Sequence, residues 1–288
     1  MSAEVALATL VGFVAGRLTW LAARPWFTQP ALTRPNYRNR MVPTAAGLAL
    51  PLALLLVEAG RAVAAAMGIG DDPGIDGARA VTVLVVCGFC LLGTIDDIAG
   101  TGEYRGFRGH VLALASGHVT TGLFKLLGGA AVALVAVGAV SGRSVGRLLA
   151  DAAVVALAAN LGNLFDRAPG RAGKAGMASF VALAVATGGP PQLAAVAVVV
   201  GAGAALLADD LRERLMLGDA GANPLGAAVG LGVVLATAPP TRNGMLVALV
   251  VLNLVGEVVS FSRVIAAVPP LRALDELGRR HRATPRPR

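Results

Sequence analysis

Long apolar runs, each broken by a short polar stretch, repeat along the whole 288-residue chain. Nine of them, at about 4–23, 44–67, 79–95, 120–140, 147–165, 174–189, 191–208, 221–238 and 243–263, approach the ~20 consecutive apolar residues that carry a helix across a hydrocarbon core. The runs are continuous. The alternation over ~10 residues that marks an outer-membrane barrel is missing. The pattern predicts an all-α, polytopic integral membrane protein of about nine transmembrane helices in one domain, with a basic tail at about 264–288.

Polar residues concentrate where these runs end. The third closes in LLGTIDDIAG, which sets Asp96 and Asp97 side by side where the helix meets water. Carboxylates so placed are costly unless they bind something. Lys125 lies one turn inside the fourth run, either snorkelling to the interface or pointing at an anion among the aspartates. The fifth run ends in NLGNLFD, whose three-residue steps put Asn160, Asn163 and Asp166 on one broad face. Arg167, Arg171 and Lys174 follow in a Pro-Gly loop suited to gripping a diphosphate.

Other polar residues read more blandly. Arg38 and Arg40 serve equally well as phosphate ligands or as topology signals, and Glu58 with Arg61, three apart, reads as a neutralised pair. Asp209 and Asp210 close the seventh run ahead of LRER, as water-facing residues of a solvated turn. Gly218-Asp219-Ala220-Gly221 then opens the eighth run. Its glycines permit close backbone approach, and a helix N-terminus offers N–H groups to an anion. Asp219 there would repel a phosphate unless a cation bridges the two, so a metal ion is expected.

Composition agrees with the pattern: 56% of residues are hydrophobic, 15% charged, and the mean hydropathy is +0.70. The net charge of +8 raises the question of nucleic acid. Sorting the basic residues by loop removes it. With the N-terminus outside, eighteen of the 25 Lys and Arg fall in inner segments: Arg24 to Arg40, Arg105 and Arg108, Arg167 to Lys174, Arg212 and Arg214, and seven arginines from Arg263 onward. Arg79, Arg143, Arg147 and Arg242 fall in outer loops. The bias predicts a cytoplasmic C-terminus and no nucleic-acid partner. The tail reads as a short amphipathic surface helix followed by an arginine run, Arg279 to Arg288, suited to anionic lipid. Glu4 and the lack of a basic start make the first run a span rather than a cleaved signal. Cys87 and Cys90, among Val, Phe and Leu, read as core residues.

Five stretches now carry a resemblance. VPTAAG, GTIDDIAG, TTGLFK, NLGNLFD and LGDAGANPLG, in this order from Pro43 to Gly226, resemble motifs of the polyprenyl-phosphate N-acetylhexosamine-1-phosphate transferase superfamily, which includes the phospho-N-acetylmuramoyl-pentapeptide transferases. The chain departs from those motifs in RAPGRAGKAG after Asp166, in Ala222 where Ser is usual, and in lacking a His-rich loop; His110, His118 and His281 are scattered.

The resemblance implies transfer of a sugar-1-phosphate from a UDP-sugar to a polyprenyl phosphate at the inner face of the cell membrane, releasing UMP. It implies Mg²⁺, with Mn²⁺ as the alternative, held by Asp219 with Asp96 or Asp97. Asp96, Asp97, Asp219 and Lys125 are its catalytic candidates. Asn160, Asn163, Asp166, Arg171, Lys174, Gly218 and Gly221 are its substrate-binding candidates. The oligomeric state, including a homodimer, stays open. Two rivals remain: a non-catalytic relative acting as a lipid-binding or scaffold protein, and a cation-coupled transporter, whose acids would lie at mid-membrane depth.

Overall fold

The structure, a computed structural model, describes residues 1–70, 75–100, 116, 118, 120–141 and 144–279. Arg105, Arg108, His110, Arg143 and the run 280–288 lie outside the described residues. Among the described residues nine longer helices come in chain order: α1 (Ala3–Phe27), α2 (Ala49–Ala66), α3 (Gly77–Ala99), α4 (Thr121–Gly138), α5 (Val145–Phe165), α6 (Arg171–Ala186), α7 (Ala194–Leu211), α8 (Asp219–Ala236) and α9 (Pro239–Val258). Two short helices, α10 (Phe261–Ala267) and α11 (Pro269–Glu276), end the described chain. Among the described residues, eight helical segments are long and apolar enough to cross a membrane. The protein is an all-helical, multi-pass membrane protein.

The ninth expected span, 174–189, corresponds to α6. Its 16 residues rise only about 24 Å, short of a ~30 Å hydrocarbon core. The remaining runs match helices whose ends differ from the expected bounds by up to about five residues in either direction: α1 runs on to Phe27, whereas α2 starts only at Ala49 and α9 stops at Val258.

The helices are layered around α7 and α8. Nearly all of α7 is buried, from Ala194 to Leu206 and again at Asp209 and Asp210, and α8 is buried along most of its length. In α9 only Leu249 and Asn253 are buried. Its Val247, Val251, Leu254 and Val258 are exposed, as are Leu7, Leu10, Leu18 and Leu21 of α1. Leaving each of these side chains in water costs about 1.5–3 kcal/mol, so hydrocarbon is their natural solvent. Inside the bundle, association instead relies on small residues that let backbones meet. Gly12 and Gly16, four apart on α1, lie against the backbone of Val198 and Ala202 on α7.

Successive helices alternate in direction, which gathers distant termini at one end. The Gly170 N–H before α6 donates to Asp210 Oδ2 at the end of α7 (3.0 Å), and Arg17 of α1 reaches Asp209 Oδ2 (2.5 Å). The only sheet among the described residues sits at this end, an antiparallel pair of Thr33–Pro35 (β1) and Met41–Pro43 (β2) in register Thr33↔Pro43. Asn36 Oδ1 closes the turn by accepting from Arg38 N and Arg40 N. Glu213 ties the turn to the α7–α8 connection, accepting from Asn36 Nδ2 and Tyr37 Oη and pairing with Arg38. Arg38 is therefore engaged with a carboxylate. The opposite end is stapled by Asp151, fully buried, which takes Ser141 Oγ (2.7 Å), Arg147 and Arg242 (3.0 Å). Glu58 is held there by Arg79 from α3 through Nε (2.9 Å) and Nη2.

The expectation that Asp209 and Asp210 face water is overturned. Both are buried, at 5% and 6% exposure. Asp209 pairs with Arg17 and Arg214, while Asp210 receives the Gly170 N–H. Burial is affordable because each carboxylate meets a donor from a distant segment.

Candidate functional site

The site is built where α3 ends and α4 and α8 begin. Gly93 makes the approach of α3 to α8 possible, since a Cβ there would overlap the Asp219 carbonyl. One turn later α3 presents Asp96 and Asp97. Gly218 has φ +69 and lies against the Thr44 carbonyl, so both its backbone conformation and its surroundings exclude a side chain. Met216 N donates to Pro43 O (2.7 Å) and Gly47 N to Leu217 O (3.0 Å), which packs VPTAAG against LGDAG.

Lys125 stands at the centre. Its Nζ donates to Asp96 Oδ2 at 2.7 Å and to Asp219 Oδ2. Oriented with its amide oxygen toward Lys125, Asn163 accepts from Nζ (3.2 Å) and donates to Asp219 Oδ1 (2.7 Å). Thr121 lies beside Asp96. The Lys125, Asp96 and Asp219 side chains retain 15%, 21% and 20% exposure, so a molecule outside the chain can reach all three.

Asp97 has a different task. Its Oδ1 accepts from Asp219 N (3.1 Å) and its Oδ2 from Ala220 N (3.0 Å), while Asp166 lies near Gly218 N. These are the orphan donors of the α8 N-terminus, and a carboxylate there also complements the helix dipole. The helix end expected to receive an anion at Gly218 and Gly221 is thus already capped from within the chain. Gly221 instead provides the close approach to Gly47. Burial, and then the charges of Asp210 and Asp219, push the Asp166 carboxyl above its ordinary range, against the pull of Gly218 N–H and Arg167.

Three expected site residues lie apart from Lys125. Asn160 donates to Asn253 Oδ1 (2.7 Å), and Asn253 in turn donates to Leu157 O and Leu249 O, forming a polar clasp between α5 and α9. A three-residue step leaves side chains about 60° apart around a helix, enough for Asn160 and Asn163 to face different neighbours. Arg171 and Lys174 are engaged by the last described helix, as set out below. Sequence reasoning passed over Thr121 and Asn223. Asn223 is 3% exposed, one turn beyond Asp219, and its Nδ2 has no partner among the described residues. The second threonine of TTGLFK was a usable signal for the first, and an amide inside an apolar run for the second.

Among the described residues no three His, Cys, Asp or Glu side chains gather as a complete metal site. Two carboxylates share one ammonium instead. Such a pair fits Mg²⁺, which takes one or two carboxylates and completes its shell with water and phosphate oxygens. Fold and site together define a class: a multi-pass helical membrane protein with a lysine-bridged pair of aspartates at one end of the bundle. No protein-family model and no curated protein matches the chain.

Proposed function

We propose that the protein transfers a sugar-1-phosphate, of N-acetylhexosamine type, from a UDP-sugar to a polyprenyl phosphate, with the site on the cytoplasmic face, the N-terminus outside and the C-terminus inside. In this reading α6 completes nine passes of the cell membrane. One observation carries it. Asp96, Lys125, Asn163 and Asp219 lie on four different helices, yet their charged and amide groups meet within hydrogen-bond distance, and they are the residues on which the motif resemblance turns.

The chemistry suits such a site because phosphoryl transfer rests on positioning and charge neutralisation. A lipid phosphate is largely a dianion near pH 7, its second pKa being about 6, so it attacks without a strong general base. One of its oxygens bonds to the β-phosphorus of the donor, the bridging bond to the α-phosphate breaks in line, and UMP leaves. Lys125 holds phosphate charge at Nζ. Asp96 and Asp219 would hold Mg²⁺, which when bound would neutralise the donor diphosphate. Asp97, with both oxygens on backbone N–H groups, positions Asp219. Asn163 orients the Asp219 carboxylate.

The test is UMP release by the purified protein in detergent, given polyprenyl phosphate, a panel of UDP-sugars and Mg²⁺. Release with one sugar, abolished by EDTA and by Asp219→Asn, supports the transferase and names its donor. A second reading, a lipid-binding relative without catalysis, draws support from the engagement of Arg171 and Lys174 by the tail. It expects folded protein to release no UMP from any donor.

A further inference from the structure

Beside the Lys125 site lies a second charged cluster, at the start of α6. Arg171, 8% exposed, meets Asp275 of α11 in a two-point contact, Nε to Oδ1 at 2.8 Å and Nη2 to Oδ2 at 2.9 Å, while its Nη1 donates to Ser262 Oγ (2.8 Å). Arg279 donates to Asp275 Oδ1 (2.5 Å) and to Pro169 O (2.9 Å). Lys174 Nζ caps the end of α11 through the carbonyls of Asp275 (2.7 Å), Leu274 (3.0 Å) and Leu277 (3.0 Å). Two guanidiniums hold one carboxylate and the Lys174 ammonium caps the helix beside it, with Asp210 behind them on the Gly170 N–H. Positive charge stays in excess.

The helix that supplies the carboxylate is weakly held otherwise. Neither α10 nor α11 has a buried residue, and Leu271, Leu274 and Leu277 of the α11 segment are 43%, 63% and 67% exposed. Eight residues do not hold a helix by themselves in water. Its attachment to the bundle is therefore electrostatic, whatever its leucines meet at the membrane surface, and the planar, two-point geometry around Arg171 is the one guanidinium groups use for phosphate as well as carboxylate.

We propose that Arg171, Lys174 and Arg279 form a phosphate-binding site, that Asp275 occupies it as a resident stand-in for the anion, and that α11 is a cover displaced when a phosphate ester arrives. The incoming group is the diphosphate of a soluble donor or the phosphate of a lipid head group. Only the choice between these two rests on the transferase reading; the site and its cover do not.

Hydrogen exchange of the amides of 269–276 in the full-length protein reads the cover directly. In detergent without divalent ions, inorganic pyrophosphate is expected to speed exchange there by at least about fivefold, an opening of the locally unfolding kind. Sodium chloride at matched ionic strength should leave it slow. Nanodiscs containing phosphatidylglycerol, compared with phosphatidylcholine alone, separate the lipid source from the soluble one. Asp275→Asn should open the cover without ligand and tighten pyrophosphate binding several-fold, and Arg279→Gln should weaken that binding with the bundle folded. Exchange that stays slow with both pyrophosphate and anionic lipid overturns the proposal, as does opening by chloride alone. A cover that opens to pyrophosphate in a protein that releases no UMP keeps this site and removes the transferase reading.

Discussion

Asp96 and Asp97 are neighbours in the chain and face different worlds. Asp96 accepts a hydrogen bond from Lys125 Nζ at 2.7 Å, while Asp97 spends both oxygens on the N–H groups of Asp219 and Ala220. Adjacent helical positions point about 100° apart, so one side chain looks across to α4 and the other to the end of α8. A motif that reads as a matched pair divides into a charge-bearing residue and a structural cap.

Asp97→Ala should therefore act on stability first. It strands two backbone donors at the start of α8, with an expected cost of about 1–3 kcal/mol. Asp97→Asn, keeping one acceptor, should cost less. Thermal unfolding in detergent measures both. Asp96→Asn should leave the midpoint nearly unchanged while lowering UMP release by roughly 10²-fold, as loss of a charge-stabilising group does. The reverse ranking would show that the roles are exchanged.

Lys125→Met removes the ammonium between two carboxylates. The site is partly exposed, so the expected loss is about 1–3 kcal/mol rather than the 3–5 of a deeply buried broken pair. A divalent cation should restore part of it. Magnesium is expected to raise the unfolding midpoint of the variant more than that of the parent, and an equal response in both would argue against Asp96 and Asp219 as joint ligands.

Gly93→Val places a branched side chain against the Asp219 carbonyl. Overpacking of this kind costs about 1–3 kcal/mol, and here it also drives α3 away from α8. Activity should fall further than stability, which turnover measured well below the melting range will separate.

Acid should release the tail. Burial opposes the Asp275 charge, but the bonds to Arg171 and the charges of Arg279 and Lys174 outweigh it, so its carboxyl titrates below the ordinary range. A lowered folded-state pKa means that the docking free energy is fully present above the unfolded value of about 4 and is lost as pH falls through the folded one. A spin label at Leu274→Cys should be restrained near pH 6 and mobile well below pH 4. Restraint at both would exclude Asp275 as the anchor.

The apolar runs were enough to place the helices, and the polar residues at their ends were enough to single out Asp96, Lys125, Asn163 and Asp219. What stayed hidden was partnership across the chain. Asp209 looks like part of a solvated turn until Arg17 arrives from a helix 192 residues away. Asn160 shares a face with Asn163 in projection, yet α9 claims it through Asn253. Arg171 and Lys174 carry the right charge for a diphosphate, and nothing near them in the chain signals that α11 folds back over them.

The shortness of α6 bears on the lipid around the protein. If α6 makes the ninth pass proposed above, its rise of about 24 Å beside longer neighbours is a hydrophobic mismatch, which a bilayer meets by thinning. The dimple would then fall on the flank that carries Arg171 and Lys174. Head groups there would sink toward the level of the cations, and a lipid phosphate would cover less vertical distance on this side of the bundle than on a face walled by longer helices.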